Sequence, residues 1–277
     1  MDQTFPYDLA AVDLDDTLLG PDKRISSVNR AAVHALHVFG VEVVLASGRA
    51  VGSMTQIHRE LQLDGWMISL NGAMISRPST GEIVRSQTIS PEAGFHLIAE
   101  GMAHGFTLVA CCARRTFASA QTPLLERYQS RGGERDAIIG LPSDLGGEDL
   151  LKLIWIAEPA SLDAVQQQVM IRDSGRLNVI RSDSLYIEFM AADADKELGL
   201  RAVAEMLQVP RERTMAFGDG ANDIKMLAWA GLGVAVGHAI ESVKAVVNFV
   251  GPKTEDPGSA FAAAVTAVLP SYNGKTA

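Results

Sequence analysis

The stretch LAAVDLDDTLLG, Leu9 to Gly20, sets Asp13, Asp15 and Asp16 within four residues at the end of an apolar run. Like charges this close repel, and burying one without a partner costs on the order of several kcal/mol. The cluster therefore asks for something positive. Three other segments bear on what that is: Ser47-Gly48-Arg49 offers a hydroxyl and turn amides, Lys196 an ammonium, and GDGAND, Gly218 to Asp223, further acids. Hard carboxylate oxygens suit Mg²⁺, which keeps water and phosphate oxygens among its ligands. Asp13 and Asp219 are the candidate carboxylates for it, and a bound cation lets an anionic phosphate approach an anionic nucleophile. In Asp13-Leu14-Asp15 the spacing of two puts both acids on one side of an extended strand. Asp13 could then attack phosphorus while Asp15 protonates the departing alkoxide, with Thr17 and the following amides bracing both.

Such residues must be carried to one place, and the patterning indicates how. YDLAAVDL reads as a buried strand ending at Asp13. A helix follows, with Ser26 or Ser27 as N-cap and Gly40 as its stop, then the strand VEVVLA and a second helix running to about Leu61. WMISLNGAMI gives a third strand with a turn at Asn71-Gly72, and TGEIVRS pairs back as a hairpin. Alternation of this kind is the mark of parallel β/α units. From about Arg85 to Glu188 the style changes: FTLVACCARRTFAS, LLKLIWIAE and SDSLYIEFM read as strands of a separate sheet, with two helices beside it and a Gly-rich charged loop over 131–149. The β/α style then resumes to a final helix from Gly258 to Val268. The expected fold is therefore α/β, a Rossmann-like parallel-sheet core interrupted by an α/β cap, with 1–84 and 189–277 as core and 85–188 as cap. In open parallel sheets ligands sit at the carboxyl ends of the strands, where all four segments are expected to fall.

Composition narrows the partners. The 277 residues are 47% hydrophobic, enough for a sizeable core, and the net charge of −9 argues against binding nucleic acid or an anionic membrane. A small molecule is the expected partner, and the oligomeric state is left open. The segment MDQTFPYD carries no basic region leading into an apolar stretch, and no run of about 20 apolar residues occurs. A cytoplasmic location is expected. Cys111 and Cys112, adjacent in an apolar stretch, read as reduced core residues. Arg114 and Arg115, read as part of a strand, would point to opposite faces, so at most one would meet a substrate.

DLDDT, ASGR, the isolated Lys196 ahead of a helix and GDGANDIKML, in that order, resemble the four motifs of the haloacid dehalogenase superfamily of phosphatases. More narrowly the chain resembles the Cof-type branch, whose large α/β cap lies between the second and third motifs; NGA at Asn71 to Ala73 and GVAVGHA add to the match. The resemblance implies Mg²⁺-dependent hydrolysis of a small phosphorylated metabolite, a sugar phosphate or phosphorylated cofactor, through an aspartyl-phosphate. It implies Asp13 as nucleophile and metal ligand, and Asp15 as general acid and then base, its backbone carbonyl on the metal. Ser47 and the amides of Leu14 and Gly48 would bind phosphoryl oxygens, Lys196 would neutralise charge, and Asn222 would touch phosphate. Asp219 would complete the metal site and Asp223 would orient its outer shell.

Two positions depart from the pattern. Glu197 follows the lysine where a glycine is common, and reads as a solvated acid in a helix's first turn ahead of one that dampens Lys196; His238 stands where Asn is common and reads as a structural turn residue ahead of a substrate or loop contact. Two other functions fit the same residues: a phosphomutase, or a non-catalytic protein that accepts or binds phosphate. Receiver-type domains of the second sort carry no cap.

Overall fold

The computed structural model describes residues 5–141 and 148–269; the first four residues of MDQTFPYD, part of the Gly-rich loop (142–147) and 270–277 lie outside them. The chain opens with β1 (Leu9–Val12), α1 (Ser27–Val38), β2 (Glu42–Ala46), α2 (Val51–Glu60), β3 (Met67–Ser69), β4 (Met74–Arg77) and β5 (Glu82–Ser86). The middle contains α3 (Pro91–Ala103), β6 (Thr107–Cys112), β7 (Thr116–Ala118), α4 (Pro123–Ser130), β8 (Ile138–Ile139), β9 (Leu150–Ile156), α5 (Pro159–Arg172), β10 (Leu177–Asp183) and β11 (Tyr186–Ala191). It closes with α6 (Lys196–Met206), β12 (Thr214–Gly218), α7 (Ile224–Trp229), β13 (Leu232–Ala235), α8 (Glu241–Lys244), β14 (Phe249–Val250) and α9 (Ala260–Val268).

Two sheets result. The first has the order β14-β13-β12-β1-β2-β3-β4-β5, parallel from β14 through β3, with β4 and β5 folding back antiparallel. β1 sits at its centre with all four residues buried, as a parallel strand covered on both faces must be. Register does the positioning: Val12 lies beside Leu45 of β2 and Phe217 of β12. The residues that follow these strands, Asp13, Ser47 and Asp219, therefore leave the sheet along one edge. α1 starts where the Ser26 hydroxyl accepts the Asn29 amide, and Gly40 closes its end at φ 79°.

The second sheet runs β10-β11-β9-β6-β7-β8 and is antiparallel apart from β7 with β8. One face packs on α3 and α5 through Leu97, Leu162, Trp155 and Phe189. The other, with Val109, Cys111, Ile154 and Met190, packs on Ala50, Leu70 and Met74 of the first sheet's side. Both cysteines are free and buried, one toward each face, and burial pushes their thiols up to about 12.

The middle of the chain departs from expectation. FTLVACCARRTFAS is a hairpin: Arg114 and Arg115 lie in the turn between β6 and β7, so the opposite-faces argument does not apply to them. Arg115 pairs with Glu148 and lies over Phe117. The middle segment also contains α4, opened by the Thr122 cap and Pro123 and buried through Leu125 and Tyr128, and β10, whose pattern is weak because it is only half-buried along most of its length. Among the described residues, no helix is long and apolar enough to cross a membrane.

Candidate active site

Asp13 leaves β1 nearly buried, its amide tied to the Phe217 carbonyl at 3.0 Å. Lys196 opens α6, where Asp195 caps the helix by accepting the Leu198 amide, and its side chain is fully buried. Its ammonium donates to Asp13 Oδ1 and to Asp223 Oδ1, both at 2.6 Å. The other Asp223 oxygen accepts the amides of Asp219 (3.1 Å) and Gly220 (3.0 Å), which folds GDGAND into a tight turn. Asp219 Oδ1 accepts the Thr17 hydroxyl at 3.1 Å. Acids separated by about two hundred residues thus share one cation.

One ammonium does not balance three carboxylates. Burial, with Asp223 and Asp219 adding to it, pushes the Asp13 carboxyl well above its ordinary range despite Lys196. Burial and the Asp223 charge push Asp219 up to about 6. Lys196 itself would be lowered by burial, but its two acid partners outweigh that and raise it. Asp13, Asp219 and Asp223 each offer an oxygen within 4.8 Å of the others, so this cluster could hold a metal ion. The donor set is all hard oxygen and carries surplus negative charge, which fits Mg²⁺. The Asp15 carboxylate is not in that group, consistent with only its backbone carbonyl having been expected there. Asp223, expected in the outer shell, brings a carboxylate oxygen into it.

Asp15 faces elsewhere. Arg49 grips it with two donors, Nε to Oδ2 at 2.8 Å and Nη2 to Oδ1 at 2.7 Å, and Lys23 lies 3.2 Å from Oδ1. Burial alone would raise this acid, yet the Arg49 bonds and the two positive charges hold it below the ordinary carboxylate value. Ser47 is buried, and its Oγ accepts the Arg49 amide at 3.2 Å. The Leu14 side chain is fully buried, and its carbonyl accepts the Leu19 amide, closing the turn after Asp13. Asn222 donates to Asn71 Oδ1 at 3.0 Å. Glu197, its side chain only 16% exposed, pairs with Arg201 one turn along instead of standing free in solvent, and His238 Nε2 donates to the Asp16 carbonyl at 2.7 Å, so it acts as a long-range contact to the loop after Asp13 and not as a local turn residue.

A family model for haloacid dehalogenase-like hydrolases matches residues 10–262. The chain belongs to this family. It is 28% identical over 263 residues to the 5-amino-6-(5-phospho-D-ribitylamino)uracil phosphatase YitU of Bacillus subtilis (strain 168), covering 93% of this chain and 96% of that protein. It is 27% identical over 242 residues to the HMP-PP phosphatase of Cronobacter sakazakii (strain ATCC BAA-894), covering 86% of each. A crystal structure of a haloacid dehalogenase-like hydrolase from Bacteroides thetaiotaomicron superposes with a TM-score of 0.84 at 26% identity, covering 95% of this chain and 100% of that one.

In this haloacid dehalogenase-like hydrolase, two residues to which the motifs assign no site role are central to the geometry. Arg49 controls Asp15. Asn71 holds Asn222 and fills the space beside Gly48, where a Cβ would meet Asn71 Oδ1 at 2.9 Å. Asn71 sits at φ 54°, a left-handed conformation that Asn adopts more readily than most, so the Asn-Gly pair was the available signal. Gly72 follows at φ 92°, and a Cβ there would lie 2.0 Å from the Asp195 carbonyl oxygen. Gly72→Ala must therefore push away the start of α6, which carries Lys196. We expect it to destabilise the hydrolase by at least about 2 kcal/mol, read as a lower urea midpoint at unchanged slope.

Proposed function

We propose that this hydrolase is a Mg²⁺-dependent phosphatase that cleaves a small phosphorylated metabolite through an aspartyl-phosphate on Asp13. The observation that carries the reading is the gathering of Asp13, Asp219 and Asp223 around buried Lys196, beside Ser47 and Gly48 at the same sheet edge. Asp13, the Asp15 backbone carbonyl and Asp219 would hold the Mg²⁺, with Asp223 orienting its surroundings. When bound, the cation supplies the positive charge that lets an anionic nucleophile meet an anionic phosphoryl group.

Lys196 engages Asp13 through Oδ1, which leaves Oδ2 to attack phosphorus. The new Oδ2–P bond forms as the bond from phosphorus to the leaving oxygen breaks, and Asp15 gives that oxygen a proton. Ser47, Asn222 and the amides of Leu14 and Gly48 hold the phosphoryl oxygens. Water then attacks phosphorus, Asp15 takes its proton, and Asp13 is released with inorganic phosphate. The Arg49 grip keeps Asp15 ionised, which suits this second step. For the first step Asp15 must carry a proton, so the Arg49 contact has to loosen as substrate enters. The second sheet, seated over the edge, would exclude water during the first transfer.

The relatives named for a phosphorylated ribitylaminouracil and for HMP-PP support a small-metabolite substrate. Phosphate release across a panel of sugar phosphates and phosphorylated cofactors tests the reading. Release is expected for at least one compound, with a chelator removing activity and added Mg²⁺ restoring it. Activity indifferent to chelator would refute the metal assignment, and phosphate moved between positions without release would indicate a mutase.

A further inference from the structure

Two charged side chains of the second sheet are buried against the phosphate-binding loop. Lys152 on β9 and Glu188 on β11 lie 2.8 Å apart with side chains only 4% and 9% exposed. Their neighbours on that face, Ile154 and Met190, are apolar. A buried ion pair is weak support for stability, because desolvation offsets its attraction and apolar residues of similar volume serve equally well. Its position says more. Lys152 Nζ also donates to the Gly48 carbonyl at 3.0 Å, from one sheet to the other.

That carbonyl shares a planar peptide group with the Arg49 N–H, which points the opposite way and donates to Ser47 Oγ at 3.2 Å. A positive charge on the carbonyl side polarises the group and strengthens donation on the other. With an Oγ lone pair engaged by Arg49, the single hydroxyl proton of Ser47 is directed away from the loop. Two hydrogen bonds and one peptide plane therefore connect an ammonium of the second sheet to the hydroxyl expected to bind phosphate.

We propose that Lys152 is a positioning residue for phosphate binding: its ammonium, held by Glu188, fixes the Gly48–Arg49 peptide and so aims Ser47, but only when the second sheet is seated on the first. This rests on the phosphatase reading and adds to it a coupling between seating and phosphate affinity. The effect acts through a loop every substrate shares, so it is independent of the leaving group. A side chain that read the leaving group directly would discriminate between substrates.

The test uses the full chain with Mg²⁺ and the double variant Lys152→Met, Glu188→Leu, which replaces the pair by apolar groups of similar size. Its unfolding temperature is expected to stay within a few degrees of the parent's. Its Kd for inorganic phosphate, by calorimetry, should rise about tenfold, and KM for p-nitrophenyl phosphate and for a sugar phosphate should rise by the same factor. Glu188→Gln, which leaves an oxygen for Lys152, should lose less. Unchanged phosphate affinity in the folded double variant, a loss confined to one substrate, or an equal loss in Glu188→Gln each overturns the proposal. Should the double variant not fold, Lys152→Met alone compared with Glu188→Gln decides, equal phosphate affinities overturning it. If the parent chain hydrolyses nothing, the phosphatase reading fails, while the phosphate-binding comparison still reports on Lys152.

Discussion

Asp13→Asn is expected to lower phosphate release by at least about 10⁴-fold while leaving the folded chain as stable as the parent, or more stable, in chelator. The two outcomes have one cause. The Asp13 carboxyl is pushed well above its ordinary range, first by burial and then by Asp223, so its charged form is held at a cost in the metal-free chain. The amide removes that charge, keeps an oxygen for the Lys196 ammonium and has nearly the same shape. What it cannot do is form the acyl phosphate, since the amide oxygen is a poor nucleophile. Loss of activity with a raised unfolding temperature is the pattern of a site that trades stability for chemistry. Phosphate release and thermal unfolding, both with and without Mg²⁺, check it. Retained hydrolysis of an aryl phosphate would remove Asp13 from the nucleophile's place.

Much of this arrangement was legible in the sequence because it depends on local rules. Asp13, Ser47 and Asp219 each follow an apolar strand, and parallel strands in register leave by the same edge, so linear order predicted spatial assembly. Asn71-Gly72 announced a turn, and TGEIVRS paired back as expected. The unreadable parts are those set by contacts distant in the chain. Arg49 on Asp15 and Lys152 on Gly48 are side-chain choices among several possible partners, 34 and 104 residues apart, and no periodicity encodes them. The β6–β7 turn is hard to read because ACCARRT contains neither Gly nor Pro, and its Arg114-Arg115 pair suits an exposed strand as well as a turn. β10 was missed because its residues are half-buried and mixed in character.

Lys196→Met should destabilise the metal-free chain by about 3–5 kcal/mol at pH 7.5, and by less at pH 5. Removing the ammonium leaves Asp13 and Asp223, each now bonded to it at 2.6 Å, buried without a cation. The pH dependence follows from the direction of the shifts. Asp219 stands at about 6 in the folded chain against an ordinary 3.8, raised by burial and then by Asp223, and Asp13 is raised too. The folded chain therefore retains protons that the unfolded chain has released, so stability falls as pH rises from about 4, with the Asp219 share lost through about 6 and the Asp13 share adding to the fall in the same direction. Lys196 pulls both acids the other way. Without it their folded values climb further and the fall extends upward, so the variant's deficit grows between pH 5 and pH 7.5. Mg²⁺ provides charge at the same oxygens and should recover part of the loss at pH 7.5 but little at pH 5, where protons compete for the carboxylates. Urea unfolding at both pH values, with and without Mg²⁺, measures all four stabilities. A deficit equal at the two pH values and untouched by Mg²⁺ would mean that the three carboxylates do not act as one electrostatic unit.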